Sequence, residues 1–361
     1  MSVARLLEGK RIVVCAGPGG VGKTTTAAAI ALGMAEQGLK VAVLTIDPAK
    51  RLANSLGLAE LGNEETRVPV EIDGDGELWA LMLDAKRTWD EVIERHASDE
   101  RTRDAVLNNR IYQELSNAVA GSTEYMAMEK LYELYQEDRY DLLVLDTPPT
   151  RNALDFLDAP ERLSRFIDSR SLQFFLKPGR LGLKVFGRGS GIIFSVLKRV
   201  TGVDLLQDLS VFFRALGGLV DGFRERAAGV KALLGDPGTL FLIITSPERE
   251  PIEEAIFFHG KLREAHMPFG GLIVNRVQPA EGLDGDPGRV EKALEDMVGE
   301  PLAGKVAQAY AEAQVLARRD RAGIDHLRAE VGGPEPIVVP QIDGDVHDVE
   351  GLAAIRGYLF A

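Results

Sequence analysis

Short runs of consecutive apolar residues, each closed by a turn signal, recur along the chain. Arg11–Ala16 (RIVVCA) ends at a glycine-rich turn, and Val41–Ile46 (VAVLTI) ends at Asp47-Pro48. Asp141–Leu145 (DLLVL), Leu240–Thr245 (LFLIIT), Gly271–Val274 (GLIV) and Ile337–Val339 (IVV) follow, with Leu78–Leu83 as a further candidate. Unbroken runs of this kind suit strands buried on both faces, as in a parallel sheet covered by helices. Helical stretches separate most of them; Thr24–Gln37 is Ala-rich and stops at Gly38. Alternating strands and helices predict right-handed crossovers and a doubly wound, mostly parallel α/β sheet. From Asp158 to about Gly235 the pattern changes to helices broken by Gly and Pro, with no clear strand. The expected organisation is an α/β domain over 1–157 and 236–361, interrupted by a helical insertion subdomain over 158–235.

Composition narrows the function classes. The chain has 361 residues, 45% of them hydrophobic, enough to bury a large core. Its net charge of −13 makes nucleic acid a poor default partner. Cys15 is the only cysteine, so neither an intrachain disulfide nor a C-x-x-C zinc clip is available, and the five histidines show no ligand spacing. No zinc is expected. Met1–Lys10 is charged and lacks the apolar core of a signal peptide, and no run approaches the roughly 18 apolar residues of a membrane span. A cytoplasmic location is expected.

The chemistry concentrates at Gly17–Thr25. Gly17, Gly19, Gly20, Val21 and Gly22 lead into Lys23 and Thr24, fitting G-x-x-x-x-G-K-[ST] directly after a strand and at the start of a helix. Glycines let backbone N–H groups turn inward around phosphates, and the helix start adds a partial positive charge. Lys23 would neutralise the β- and γ-phosphates of ATP, and the Thr24 hydroxyl would ligate Mg2+. The fold class is therefore a sheet of P-loop NTPase type. Gly17, Gly19 and Gly22 also match the dinucleotide fingerprint, with Asp47 where a ribose-binding acid belongs. Lys23-Thr24 speaks against that alternative, which has no use for the pair.

Further positions lie at strand ends. Asp146 closes DLLVL before Thr147-Pro148-Pro149-Thr150, where an acid holds the water shell of Mg2+; its other reading is a helix cap or turn residue. Asp47 ends the second strand, where a carboxylate could orient or deprotonate an attacking water, or simply shape a turn before proline. Asn275 and Pro340 end later strands, within reach of a base.

With these motifs together, the chain resembles the ArsA family of SIMIBI-class ATPases, which includes the arsenite-pump ATPase and the eukaryotic ATPase that targets tail-anchored membrane proteins. The resemblance is carried by the loop, by DPAKRL, AGSTEYMAMEKL and DTPPTRNALDFL, and by VNRV and VVPQIDGDVHDVEGL near the end. It implies Asp47 at the hydrolytic water, Thr24 and Asp146 at Mg2+, and Asn275 with Pro340 and Ile342 at the adenine. It also implies a homodimer or heterodimer that closes around two nucleotides and moves a helical client-binding surface. The sequence departs from the family at Pro18, where a second loop lysine is usual, and at Asn152, where the second switch carries histidine. Arg51 or Arg151 could supply the charge, or could simply be solvated. The family's zinc- and arsenite-binding cysteines are missing. A weakly hydrolysing regulatory subunit of a heterodimer is the alternative that Pro18 favours.

The insertion inverts the charge balance, with nine Lys/Arg against three acids over 161–205. Over 171–223 it also carries Phe174, Phe175, Phe186, Phe194, Phe212, Phe213 and Phe223. These residues suit an ordinary helical core, a groove for a hydrophobic helix, or a peripheral membrane contact.

Overall fold

A computed structural model describes residues 2–149 except 48, 73, 98, 111 and 114–121, together with 220–342 and 348–361. The expectations for Arg151, Asn152 and most of the helical insertion lie outside the described residues.

Eight strands form one sheet: β1 (Ile12–Ala16), β2 (Lys40–Thr45), β3 (Thr66–Arg67), β4 (Glu77–Met82), β5 (Leu142–Asp146), β6 (Thr239–Thr245), β7 (Phe269–Val277) and β8 (Ile337–Pro340). Their order is β3-β4-β2-β5-β1-β6-β7-β8, and every neighbouring pair is parallel except β3–β4. All seven expected strands are present, most with ends shifted by one or two residues; GLIV grows to nine. The two-residue β3 is too short to leave a pattern in the sequence. The described helices are α1 (Val3–Leu7), α2 (Lys23–Ala35), α3 (Arg51–Ser55), α4 (Ala85–His96), α5 (Glu100–Leu107), α6 (Ser122–Gln136), α7 (Val220–Leu234), α8 (Arg249–Glu264), α9 (Pro287–Val298), α10 (Glu300–Val331) and α11 (Val349–Phe360). None is long and apolar enough to cross a membrane.

The described residues divide into two compact units. One holds residues 2–82, 138–149 and those from 235 onward, with the whole sheet; the other holds 83–137 and 220–234. In the sheet unit, strand alternation sends Val13 and Cys15, Val41 and Val43, Leu142 and Val144, and Leu240, Leu242 and Ile244 into one core with α2 and α11. Every residue of α2 except Thr25 is buried, and its alanines let it lie close to the sheet. Helices α8 and α10 pack together, and both contact β7.

In the other unit, α6 packs against α4 and α7. Its interior is partly ionic. Glu129 is fully buried and ion-paired with Arg226. Arg95 meets Glu133 at 2.6 Å, and Lys130 reaches Glu133 at 3.3 Å and Glu91 at 3.6 Å. The tail of the expected insertion, 220–234, is α7 and belongs to this unit together with 83–137.

Candidate functional site

Strand β1 lies inside the sheet, between β5 and β6, and its carboxyl end opens into the glycine loop. Three loop glycines have positive φ: Gly17 (+155°), Gly20 (+80°) and Gly22 (+91°). Two of them are also dictated by space. A Cβ on Gly17 would lie 1.9 Å from the Ile244 carbonyl oxygen, and one on Gly22 would lie 2.4 Å from Asn275 Nδ2. Gly22 starts α2 with no side-chain cap, whereas α4, α5, α9 and α11 start on Asp84, Asp99, Asp286 and Asp348, each accepting from a first-turn N–H. Helices α1, α3, α8 and α10 also start without one, so it is the glycine loop ahead of α2 that suits its first-turn N–H groups to an anion.

Lys23 is buried and donates from Nζ to the Pro18 carbonyl at 2.8 Å. Burial pulls its ammonium below the ordinary lysine range, while Asp146 and Asp47 oppose that shift. Thr24 is buried as well, and its hydroxyl donates to Asp146 Oδ2 at 2.7 Å. Thr25, the third residue of α2, is half-buried.

Parallel pairing sets Asp146 beside Cys15 on one side and Thr45 on the other. The Thr45 hydroxyl donates to the same Oδ2 at 2.8 Å, so one carboxylate oxygen takes two hydroxyls. The other, Oδ1, is buried without a hydrogen-bond partner. Burial raises the Asp146 pKa to about 6, against the lowering effect of Thr24, Thr45 and Lys23. Thr45 was not anticipated as part of the site; its signal was a polar residue within an apolar run. Thr147 donates to the Cys15 carbonyl at 2.9 Å, tying the segment after β5 to the end of β1. A Cβ on Gly19 would lie 3.6 Å from Pro149, so the same segment borders the loop.

An orphaned, buried carboxylate oxygen beside a threonine hydroxyl is a donor set that Mg2+ accepts, since that ion keeps waters and substrate oxygens in its shell. Among the described residues no three His, Cys, Asp or Glu are grouped to cage a metal on their own.

Asp47 lies just beyond β2. Its Oδ1 accepts from the Ala49 N–H at 2.9 Å, and its Oδ2 pairs with Arg51 at 3.2 Å. The residues expected at a base are only partly brought together. Asn275 reaches the loop, donating from Nδ2 to the Val21 carbonyl at 2.9 Å. Pro340 pairs with Val277 and lines an open cavity of about 560 Å3 together with Val277, Gln278 and Pro279. Ile342 packs against the sheet core. Arg276, which drew no attention in the sequence, donates to the Gly20 carbonyl at 2.8 Å.

The family model for anion-transporting ATPases matches residues 10–316. The chain is 25% identical over 327 residues to the ATPase GET3 of Malassezia globosa, covering 90% of this chain and 88% of that one. It is 29% identical over 277 residues to an Aquifex aeolicus protein named "Putative arsenical pump-driving ATPase 1", covering 75% of this chain and 64% of that one. The family match runs from β1 through the glycine loop and β5 to β7, and the chain belongs to the anion-transporting ATPase family.

Proposed function

We propose that this chain binds Mg2+–ATP at Gly17–Thr25 and hydrolyses it. The observation that carries the reading is Asp146: one oxygen holds the Thr24 and Thr45 hydroxyls, and the other is buried with nothing to accept from. A buried acceptor left open in this way calls for a cation or its bound water. The loop amides and Lys23 take the phosphates, with Lys23 exchanging the Pro18 carbonyl for phosphate oxygens. Thr24 and Asp146 would hold the ion, whose charge would offset that developing on the phosphate oxygens. Asp47 orients a water and accepts its proton as the water oxygen bonds to the γ-phosphorus and the bond to the β-phosphate bridge breaks. The reading assigns Asn275, Pro340 and Ile342 to the base.

Two tests separate binding from turnover. Calorimetry with Mg2+–ATP is expected to give saturable uptake that Lys23→Ala weakens about 100-fold. Absence of uptake by the wild-type protein would sink the reading. Phosphate release is expected to exceed that of an Asp47→Asn control; equal rates would remove the enzyme claim for the isolated chain.

Beyond the site, the reading includes a homodimer or heterodimer that closes around nucleotide and moves a client surface formed by 171–223. Sedimentation with and without a nonhydrolysable analogue tests the closure. A second reading, a weakly hydrolysing regulatory subunit, is favoured by Pro18, which brings no charge to the loop. Turnover that appears only on adding a related ATPase subunit would select it.

A further inference from the structure

Curling the loop so that its amides face a phosphate turns the opposite edge of those peptide planes outward. Each outward carbonyl then needs a donor of its own. Pro18 takes Lys23 until phosphate claims it, and two carbonyls keep a donor throughout: Val21 takes Asn275 and Gly20 takes Arg276. The last two come from consecutive residues at the end of β7, so adjacent side chains brace adjacent loop carbonyls.

The backbone at Arg276 is unusual. Its φ is +62°, in the left-handed region that an arginine rarely enters. The Asn275 side chain holds it there, its Oδ1 accepting the Arg276 N–H at 3.0 Å, and the β7–β8 ladder shifts register between Val274 and Val277. The chain therefore adopts a disfavoured conformation at a residue whose guanidinium lies on the phosphate loop. Its remaining N–H groups have no partner among the described residues. It also lies against a loop in which Pro18 brings no charge.

We propose that Arg276 is a positioning residue for the nucleotide's phosphates, holding the Gly19–Val21 arc in its receptive curl through Gly20 and adding fixed positive charge to the loop's outer rim. This rests on reading the loop as the triphosphate site. It acts on the loop as a whole, so it serves di- and triphosphate alike.

The test compares Arg276→Gly, Arg276→Lys and wild type by calorimetric titration with Mg2+–ADP and Mg2+–ATP, with melting temperature measured alongside. Glycine relieves the left-handed backbone while removing the guanidinium, so it separates the side chain's role from folding. The expected result is a loss of about tenfold in affinity for both nucleotides in Arg276→Gly, with its melting temperature unchanged or raised. Arg276→Lys is expected to recover most of the loss. Wild-type affinity in Arg276→Gly would overturn the proposal, as would a loss confined to Mg2+–ATP or a lowered melting temperature with affinity intact. Failure of the triphosphate reading is distinguishable, because wild type and Lys23→Ala would then both fail to take up nucleotide.

Discussion

A methyl group at Gly17 would lie 1.9 Å from the Ile244 carbonyl oxygen, inside the backbone of β6, where nothing flexible can yield. Gly17→Ala is therefore expected to cost about 3 kcal/mol or more, read as a lowered midpoint in urea unfolding; near-wild-type stability would show that the loop is looser than it looks. Asp146 gives a prediction in pH. Its folded pKa, about 6, is above the ordinary aspartate value of 3.8, so the folded state binds the extra proton between those values. Stability from this group is thus fully present below about pH 4 and is lost as pH rises through about 6. Asp146→Asn should stabilise the nucleotide-free protein at pH 8 by roughly 1–3 kcal/mol, an advantage that shrinks toward pH 4. An advantage that grew on acidification would contradict it. At this level the sequence was readable where a loop motif or a strand end singles a residue out: Thr24 and Asp146 come within hydrogen-bond distance. Thr45 and Arg276 were not readable, because strand register and a left-handed turn bring them in, and neither leaves a linear signature.

Continuous apolar runs located the strands well because both faces of β1, β2, β5 and β6 are buried, which removes the alternation that would otherwise have to be decoded. Helix α2 was equally plain from its alanines. The ionic interior of the second unit was not, since a glutamate at a helix core position reads as surface until its arginine is found far along the chain. Glu129 and Arg226 are such a pair, 97 residues apart in sequence. Removing one partner leaves a buried charge, so Arg226→Ala is expected to destabilise by about 3–5 kcal/mol, while Glu129→Gln with Arg226→Met should recover much of that. Thermal unfolding of the single and double variants decides; a mild single effect would show that water reaches Glu129. Helix α11 is a more ordinary case. Leu352 and Leu359 are fully buried against the core, and Leu359→Ala should cost about 2–5 kcal/mol by calorimetry.

For the molecule as a whole, the acidic balance predicts behaviour in mixtures. With a net charge of −13, the protein should leave duplex DNA unretarded even at low salt; a shifted band would make nucleic acid a partner despite that charge. Strand order leaves no trace in the sequence, because it follows from packing between elements rather than from any one of them. Its outcome has a consequence at the two margins of the sheet. On one side stands β3, only two residues long and antiparallel; on the other stands β8, preceded by Pro336 and ending on Pro340. Prolines offer no main-chain hydrogen to a newcomer, and a dipeptide offers almost no length to zip onto. Among the described residues both borders of the sheet thus discourage a further strand, which works against copies in a crowded solution threading into fibres.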